Sequence, residues 1–306
     1  MTRLEKFALA ALLTLQTAAI VYEVTAVGII VDEPSHMVSA HMYWRGEDRL
    51  KPGDMPPFIK ILGGWPSLLL KTRLPVDSPA WQSGHEWNIA GAMLDQMKPA
   101  EIDRYMLWSR APFVLIAPLV TLLLWWWARR LWNPAVAWIL AVLWALEPTA
   151  LGHAAFFKND LSATLGYLAF WYAGWRFWCE PSWRRVVWVG LALTLAVSTK
   201  MSMLVLLPVG PLILAIGALH KRRWREALLW PLASLLIVYA LTAAACQFEM
   251  RPLLPHEAKF LSLPSFTAGL PLPARYIDGA YSLTSENRTP NMVYLFGVNY
   301  PGGHRL

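Results

Sequence analysis

The feature that most constrains this chain is a series of long stretches without a charged side chain. A helix that crosses a bilayer needs about 20 apolar residues, within a range of roughly 17–25. Residues 7–31 form such a run, interrupted only by Glu23, and 111–128, 201–219 and 227–248 form three more. Residues 134–146, 161–175 and 186–199 are shorter, and uncharged or interfacial neighbours extend each of them. The expectation is an all-α integral membrane protein, a multi-span helical bundle of about seven transmembrane helices. Backbone polar groups have no water partner in lipid, so helices satisfy them internally.

Composition agrees where it bears on that reading. Charged residues are 15% of the chain and apolar residues 56%, against about 25% charged in soluble domains. Many of the 18 tryptophans fall near the ends of apolar runs, where amphipathic rings meet head groups. The net charge of +7 could suggest nucleic acid. The basic residues cluster between apolar runs instead, so membrane orientation accounts for them and no nucleic-acid partner is expected. With the N-terminus cytoplasmic, Arg3, Lys6, Arg129, Arg130, Arg176, Arg184, Arg185, Lys221, Arg222, Arg223 and Arg225 all fall inside. The two short outer connections hold one cation each, Lys158 and Lys200, which is the positive-inside pattern. The first apolar run is too long for a typical signal peptide's apolar region, and no A-x-A-like site ends it, so cleavage is not the expectation.

This topology puts residues 32–110 in a long outer loop. Its apolar stretches, broken by prolines, suit helices lying along the interface. Residues 1–248 form the transmembrane module, and 249–306, rich in Pro and Gly, read as a largely irregular outer segment. Cys179 and Cys246 fall on opposite sides, so no disulfide is expected. Asn287-Arg288-Thr289 matches a glycosylation acceptor, a three-residue pattern common by chance.

The polar residues that remain gather on one side. Asp32-Glu33-Pro34-Ser35-His36 follows the first span. A carboxylate near lipid is a general-base candidate, or a holder of a cation, because burial raises its pKa unless it is paired. Acids are also common at ordinary solvated helix ends. Glu147-Pro148, His153, Lys158, Asn159 and Asp160 sit between two spans on the same side. They could bind an anion, or form only a polar turn, and a single His makes a structural metal site unexpected. Lys60, Arg110 and Lys200 are isolated cations at outer span ends, placed for a lipid phosphate or for snorkelling to head groups. Nucleotide-binding loops, H-E-x-x-H and G-x-S-x-G are all absent from the sequence, so ATP- or dinucleotide-driven chemistry has no support.

Taken together, these motifs resemble the GT-C superfamily of membrane glycosyltransferases. The likeness is to its protein O-mannosyltransferase and aminoarabinose transferase branch, which uses polyprenyl-phosphate sugars. That branch has an Asp-Glu pair after the first span, here Asp32-Glu33. It has a His-Pro-Pro-Leu-x-Lys-like stretch in the outer loop, here Met55-Pro56-Pro57-Phe58-Ile59-Lys60, with Met in place of His. An Arg opens the second span (Arg110), Pro, His and Asp follow the third (Pro148, His153, Asp160), and a Lys follows the fifth (Lys200).

The resemblance implies an inverting glycosyltransferase on the non-cytoplasmic face of the plasma (inner) membrane. It would move a sugar from a polyprenyl-phosphate carrier to a hydroxyl of a protein or glycan acceptor. Asp32 would be the general base and Glu33 its helper. Arg110, Lys60 and Lys200 would bind the donor phosphate, and His36, Asp54, His153, Lys158 and Asp160 would line the pocket. No metal is required, although a divalent ion could sit near Asp32. Relatives continue into further spans after a stretch like Tyr300-Pro301-Gly302-Gly303, so a shortened chain is expected. Two other classes compete: a catalytically incomplete membrane protein or assembly partner, and a transporter. Transporters place polar groups at mid-bilayer, whereas here only Glu23 is charged well inside a span.

Overall fold

The computed structural model describes residues 1–30, 32–46, 55–70 and 72–286, and the backbone of 293–295 and 298–300. The chain is an all-α membrane protein. Helix α1 (Arg3–Ala26) starts on a capping box in which Thr2 and Glu5 satisfy each other's backbone donors. A connection then leads to α2 (Glu33–Arg45), which opens with Pro34 in its first turn and stops at Gly46 in the left-handed region, φ 72°. Both signals follow from the free N–H groups at a helix start and the absent Cβ at its end.

Short helices build the loop: α3 (Pro57–Gly64), α4 (Pro66–Leu69), α5 (Pro79–Ser83), α6 (Glu86–Asp95) and α7 (Pro99–Arg110). Through a 3-10 turn at Ala111–Phe113, α7 runs on into α8 (Ile116–Leu131). The bundle continues with α9 (Pro134–Ala145), α10 (Pro148–Ala154), α11 (Asp160–Cys179), α12 (Trp183–Thr199), α13 (Leu206–His220) and α14 (Glu226–Ala245).

Arg3–Ala26, Pro99–Leu131, Met201–His220 and Glu226–Ala245 are long and apolar enough to cross a membrane. The α9–α10 pair makes a fifth if its 57° bend lies within one span; Pro148 causes the break, since proline disfavours helix in the residue before it. The expected seven is therefore not reached by length and composition alone. The two helices that fall short, α11 and α12, pack against each other inside the bundle. Gly166 allows this: a Cβ there would lie 2.7 Å from the Ala196 Cα, so the backbones meet as small residues permit.

Two of the apolar clusters among the described residues fill most of the bundle. One joins the loop helices to α1 and α10 through Ile20, Val24, Met37, Ile59, Phe113 and Phe157. The other joins α11 to α14 through Phe170, Phe177, Leu193, Leu214 and Trp230. Between α1 and α8, the Thr121 hydroxyl donates to Gln16 Oε1 at 2.7 Å, and Arg129 pairs with Glu5 at 2.6 Å.

The segment after α14 is more ordered than its Pro and Gly content suggests. It holds α15 (Pro255–Phe260) and α16 (Ala274–Glu286), with β1 (Met250–Pro252) antiparallel to β2 (Pro271–Pro273) and β3 (Val293–Leu295) to β4 (Val298–Tyr300). Arg251 is the reason in physical terms, because its guanidinium ties Glu257 (2.8 Å) to Asp278 (2.7 Å). The segment docks on α2: Arg275 lies over the Tyr43 ring, and Gln247 Nε2 donates to the Tyr43 carbonyl at 3.1 Å.

Candidate active site

When α1 ends at Ala26, its last carbonyls lose their helical partners. Arg110 supplies new ones. Its Nη1 donates to the Val24 (3.3 Å) and Val27 (2.8 Å) carbonyls, and its Nη2 to Gly28 O at 2.8 Å. The rest of the fork grips Glu33, Nε to Oε1 at 2.9 Å and Nη2 to Oε2 at 2.6 Å. Glu33 also accepts the N–H of Phe157 at 2.8 Å and of Ile30 at 3.2 Å. Both side chains are almost wholly buried, and the Phe156 ring faces the guanidinium at 5.4 Å. Buried ions persist only when paired and hydrogen-bonded, and here every guanidinium N–H has a partner. This clasp fixes the end of α1, the start of α2, the end of α7 and the turn at Phe157 relative to one another.

Asp32, one residue away, has a different setting. Its side chain is 45% exposed and pairs with Lys158. It stands at the start of α2 but makes no capping bond. A second pair lies two residues further along the same turn: Lys200 Nζ is 2.7 Å from Asp160 Oδ1. His153 Nδ1 sits 3.6 Å from Asp160 Oδ2, an ion-pair distance outside hydrogen-bond range. His36 Nδ1 faces the Phe157 carbonyl at 3.4 Å. The 153–160 turn thus touches both acids and draws Asp32, Glu33, His36, Arg110, His153, Lys158, Asp160 and Lys200 into one assembly.

Two expected members remain, Lys60 and Asp54. Lys60 is 1% exposed on α3, while α3 itself lies against the assembly through Gly63, where a Cβ would overlap the Phe157 ring. Asp54 lies outside the described residues, as do Asn287-Arg288-Thr289 and Pro301-Gly302-Gly303. Arg110 is brought to the site, but as the clasp, with no N–H left over for a phosphate.

Sequence reasoning missed one participant and one buried histidine of α2. One is the Phe157 main chain, which carries no side-chain signature; only its place between His153 and Asp160 pointed there. The other is His41, fully buried on α2, with both ring nitrogens unpartnered among the described residues. Burial, and after it the charge of Arg45, pushes this imidazole down to about 4, so it is neutral at ordinary pH.

Among the described residues, no group of three or more His, Cys, Asp and Glu side chains comes together to hold a metal ion. The partner of Asp32 is the Lys158 ammonium.

Residues 105–245 match the family model described as dolichyl-phosphate-mannose-protein mannosyltransferase. That stretch is just under half of the chain. It runs from inside α7 to the end of α14, so it takes in Arg110, His153, Lys158, Asp160 and Lys200. No curated protein and no solved structure matches the chain.

Proposed function

We propose that the chain is a GT-C-like inverting glycosyltransferase acting at the membrane end where Asp32 lies, a reading supported by the family-model match over residues 105–245. Its donor is a polyprenyl-phosphate sugar and its acceptor a hydroxyl. Asp32 takes the acceptor proton as the oxygen attacks the anomeric carbon from the face opposite the leaving group. The bond from that carbon to the phosphate oxygen breaks, and the polyprenyl phosphate departs with the electron pair. Lys158 and Lys200 offset the negative charge gathering on that phosphate, a role that positioned cations perform best in a site excluded from water. Glu33 and Arg110 hold the frame and touch neither substrate.

The observation that carries this reading is the state of Asp32. It is the half-exposed acid of the pair, held among the described residues by one exchangeable ammonium, Lys158, while a second, Lys200, pairs with Asp160 of the same turn. When the acceptor docks, Lys158 can pass from the carboxylate to the donor phosphate, which frees the base as the leaving group is neutralised. No step is routed through a metal. The positive-inside pattern supports a periplasmic or exterior location for this end. The supporting experiment is transfer from a polyprenyl-phosphate mannose to a hydroxylated acceptor, with the anomeric configuration of the product determined. Inversion that is lost in Asp32→Asn supports the reading, and retention of configuration would overturn it.

A further inference from the structure

At the end of α1 farthest from Asp32, a cavity of about 470 Å³ is lined by Met1, Lys6, Trp126, Arg129 and Arg130. The 24 residues of α1 separate it from the acids by about 36 Å at 1.5 Å per residue, roughly a bilayer core and its interface. A ligand here is therefore not the sugar donor. The charges around it do not cancel. Arg129 is held by Glu5 at 2.6 Å and lies over the Trp125 ring at 5.3 Å. Arg130 lies over the Trp126 ring at 4.3 Å and donates to the Tyr172 hydroxyl. Neither Arg130 nor Lys6 has a carboxylate partner among the described residues. Aromatic contacts hold the arginines in place without neutralising them, and Trp126 and Trp132 mark head-group depth.

We propose that this cavity seats the phosphate of an anionic phospholipid from the leaflet opposite Asp32. The aromatic wall would take the glycerol backbone, while Lys6 and Arg130 bind the phosphate oxygens. A general attraction of basic loops to the leaflet would spread over every cation at that end. A seat depends on these two, because they line one concavity and lack internal counterions.

The test uses the full chain in detergent, titrated with dioctanoyl phosphatidylglycerol, dioctanoyl phosphatidylcholine or glycerol 1-phosphate. Bound molecules are counted by native mass spectrometry. The expected result is saturable binding of phosphatidylglycerol in preference to phosphatidylcholine, weakened about fivefold by Lys6→Gln and similarly by Arg130→Gln, and unchanged by Arg185→Gln at the same end. Lys6 is exposed and makes no side-chain contact that folding needs, so its variant remains informative if Arg130→Gln misfolds. Equal binding of the two lipids, an unchanged affinity in Lys6→Gln, or an equal loss in Arg185→Gln would overturn the proposal. Glycerol 1-phosphate binding as tightly as the lipid would also overturn it, by assigning the cavity to a soluble phosphate.

Discussion

Asp32 and Glu33 are neighbours in the chain with opposite surroundings. Glu33 is sealed in: both oxygens of its carboxylate are engaged, by Arg110 and by main-chain N–H groups. Asp32 keeps one side-chain partner among the described residues, Lys158, and nearly half of its side chain in the open. A charge whose every bond is taken works as a fastener, because moving it exposes an uncompensated ion. A charge with one replaceable partner can change partners during a reaction. On the proposed reading, identical chemistry thus separates into scaffold and reagent through one residue's difference in position at the end of α1.

The clasp should fail first and hardest. Removing one member of a buried ion pair costs about 3–5 kcal/mol, so Glu33→Ala or Arg110→Ala should give protein that unfolds in mild denaturant or does not accumulate. Near-normal unfolding midpoints would show that the pair is not the fastener described. Gly63→Ala comes next. Its added methyl would push on Phe157, whose N–H serves Glu33, and on Phe113 at 2.8 Å. Overpacking of this kind costs about 1–3 kcal/mol. Transfer should fall with it, because the same turn carries Lys158.

On the rim, the Lys200–Asp160 pair is more than a third exposed on both sides. Lys200→Met should cost under about 1 kcal/mol of stability and yet slow transfer more than it weakens folding. An equal loss of both would move Lys200 to the scaffold.

The smallest expected effect is far from the site, in the Arg251 hub. Hydrogen bonds from Arg251 hold the Glu257 carboxyl down to about 2, against an ordinary 4.5. A carboxylate lowered in the folded state stabilises above its unfolded pKa and loses that contribution as pH falls toward its folded one. Glu257→Gln should therefore flatten the decline in stability between about pH 4.5 and 2 and leave transfer at neutral pH unchanged. An acid limb as steep as in the parent would show that Glu257 does not carry it.

Much of this was legible in the sequence. Uncharged runs announced an all-α membrane protein, and α3, α4 and α5 begin at prolines that predicted breaks. The grouping of Asp32, His153, Lys158, Asp160 and Lys200 followed from span order, since residues at one membrane face are confined to a thin layer. Roles were harder to read. An Arg at a span end looks the same whether it faces a phosphate or caps a helix, and only the carbonyls of Val24, Val27 and Gly28 decide it. The span number was blurred because α11 and α12 are buried by neighbours and need less apolar surface of their own. His41 had no signal, because a histidine buried without a partner differs from an exposed one only in three dimensions.

The most direct test is a paired measurement on Asp32→Asn and Glu33→Gln, recording transfer rate and unfolding midpoint for each. Asp32→Asn should keep the parent midpoint and lose about 10²–10⁴-fold in rate, the usual contribution of a general base, while Glu33→Gln should lose the midpoint itself. An Asp32→Asn protein that transfers sugar at the parent rate, or that unfolds as readily as Glu33→Gln, would contradict the division between reagent and scaffold.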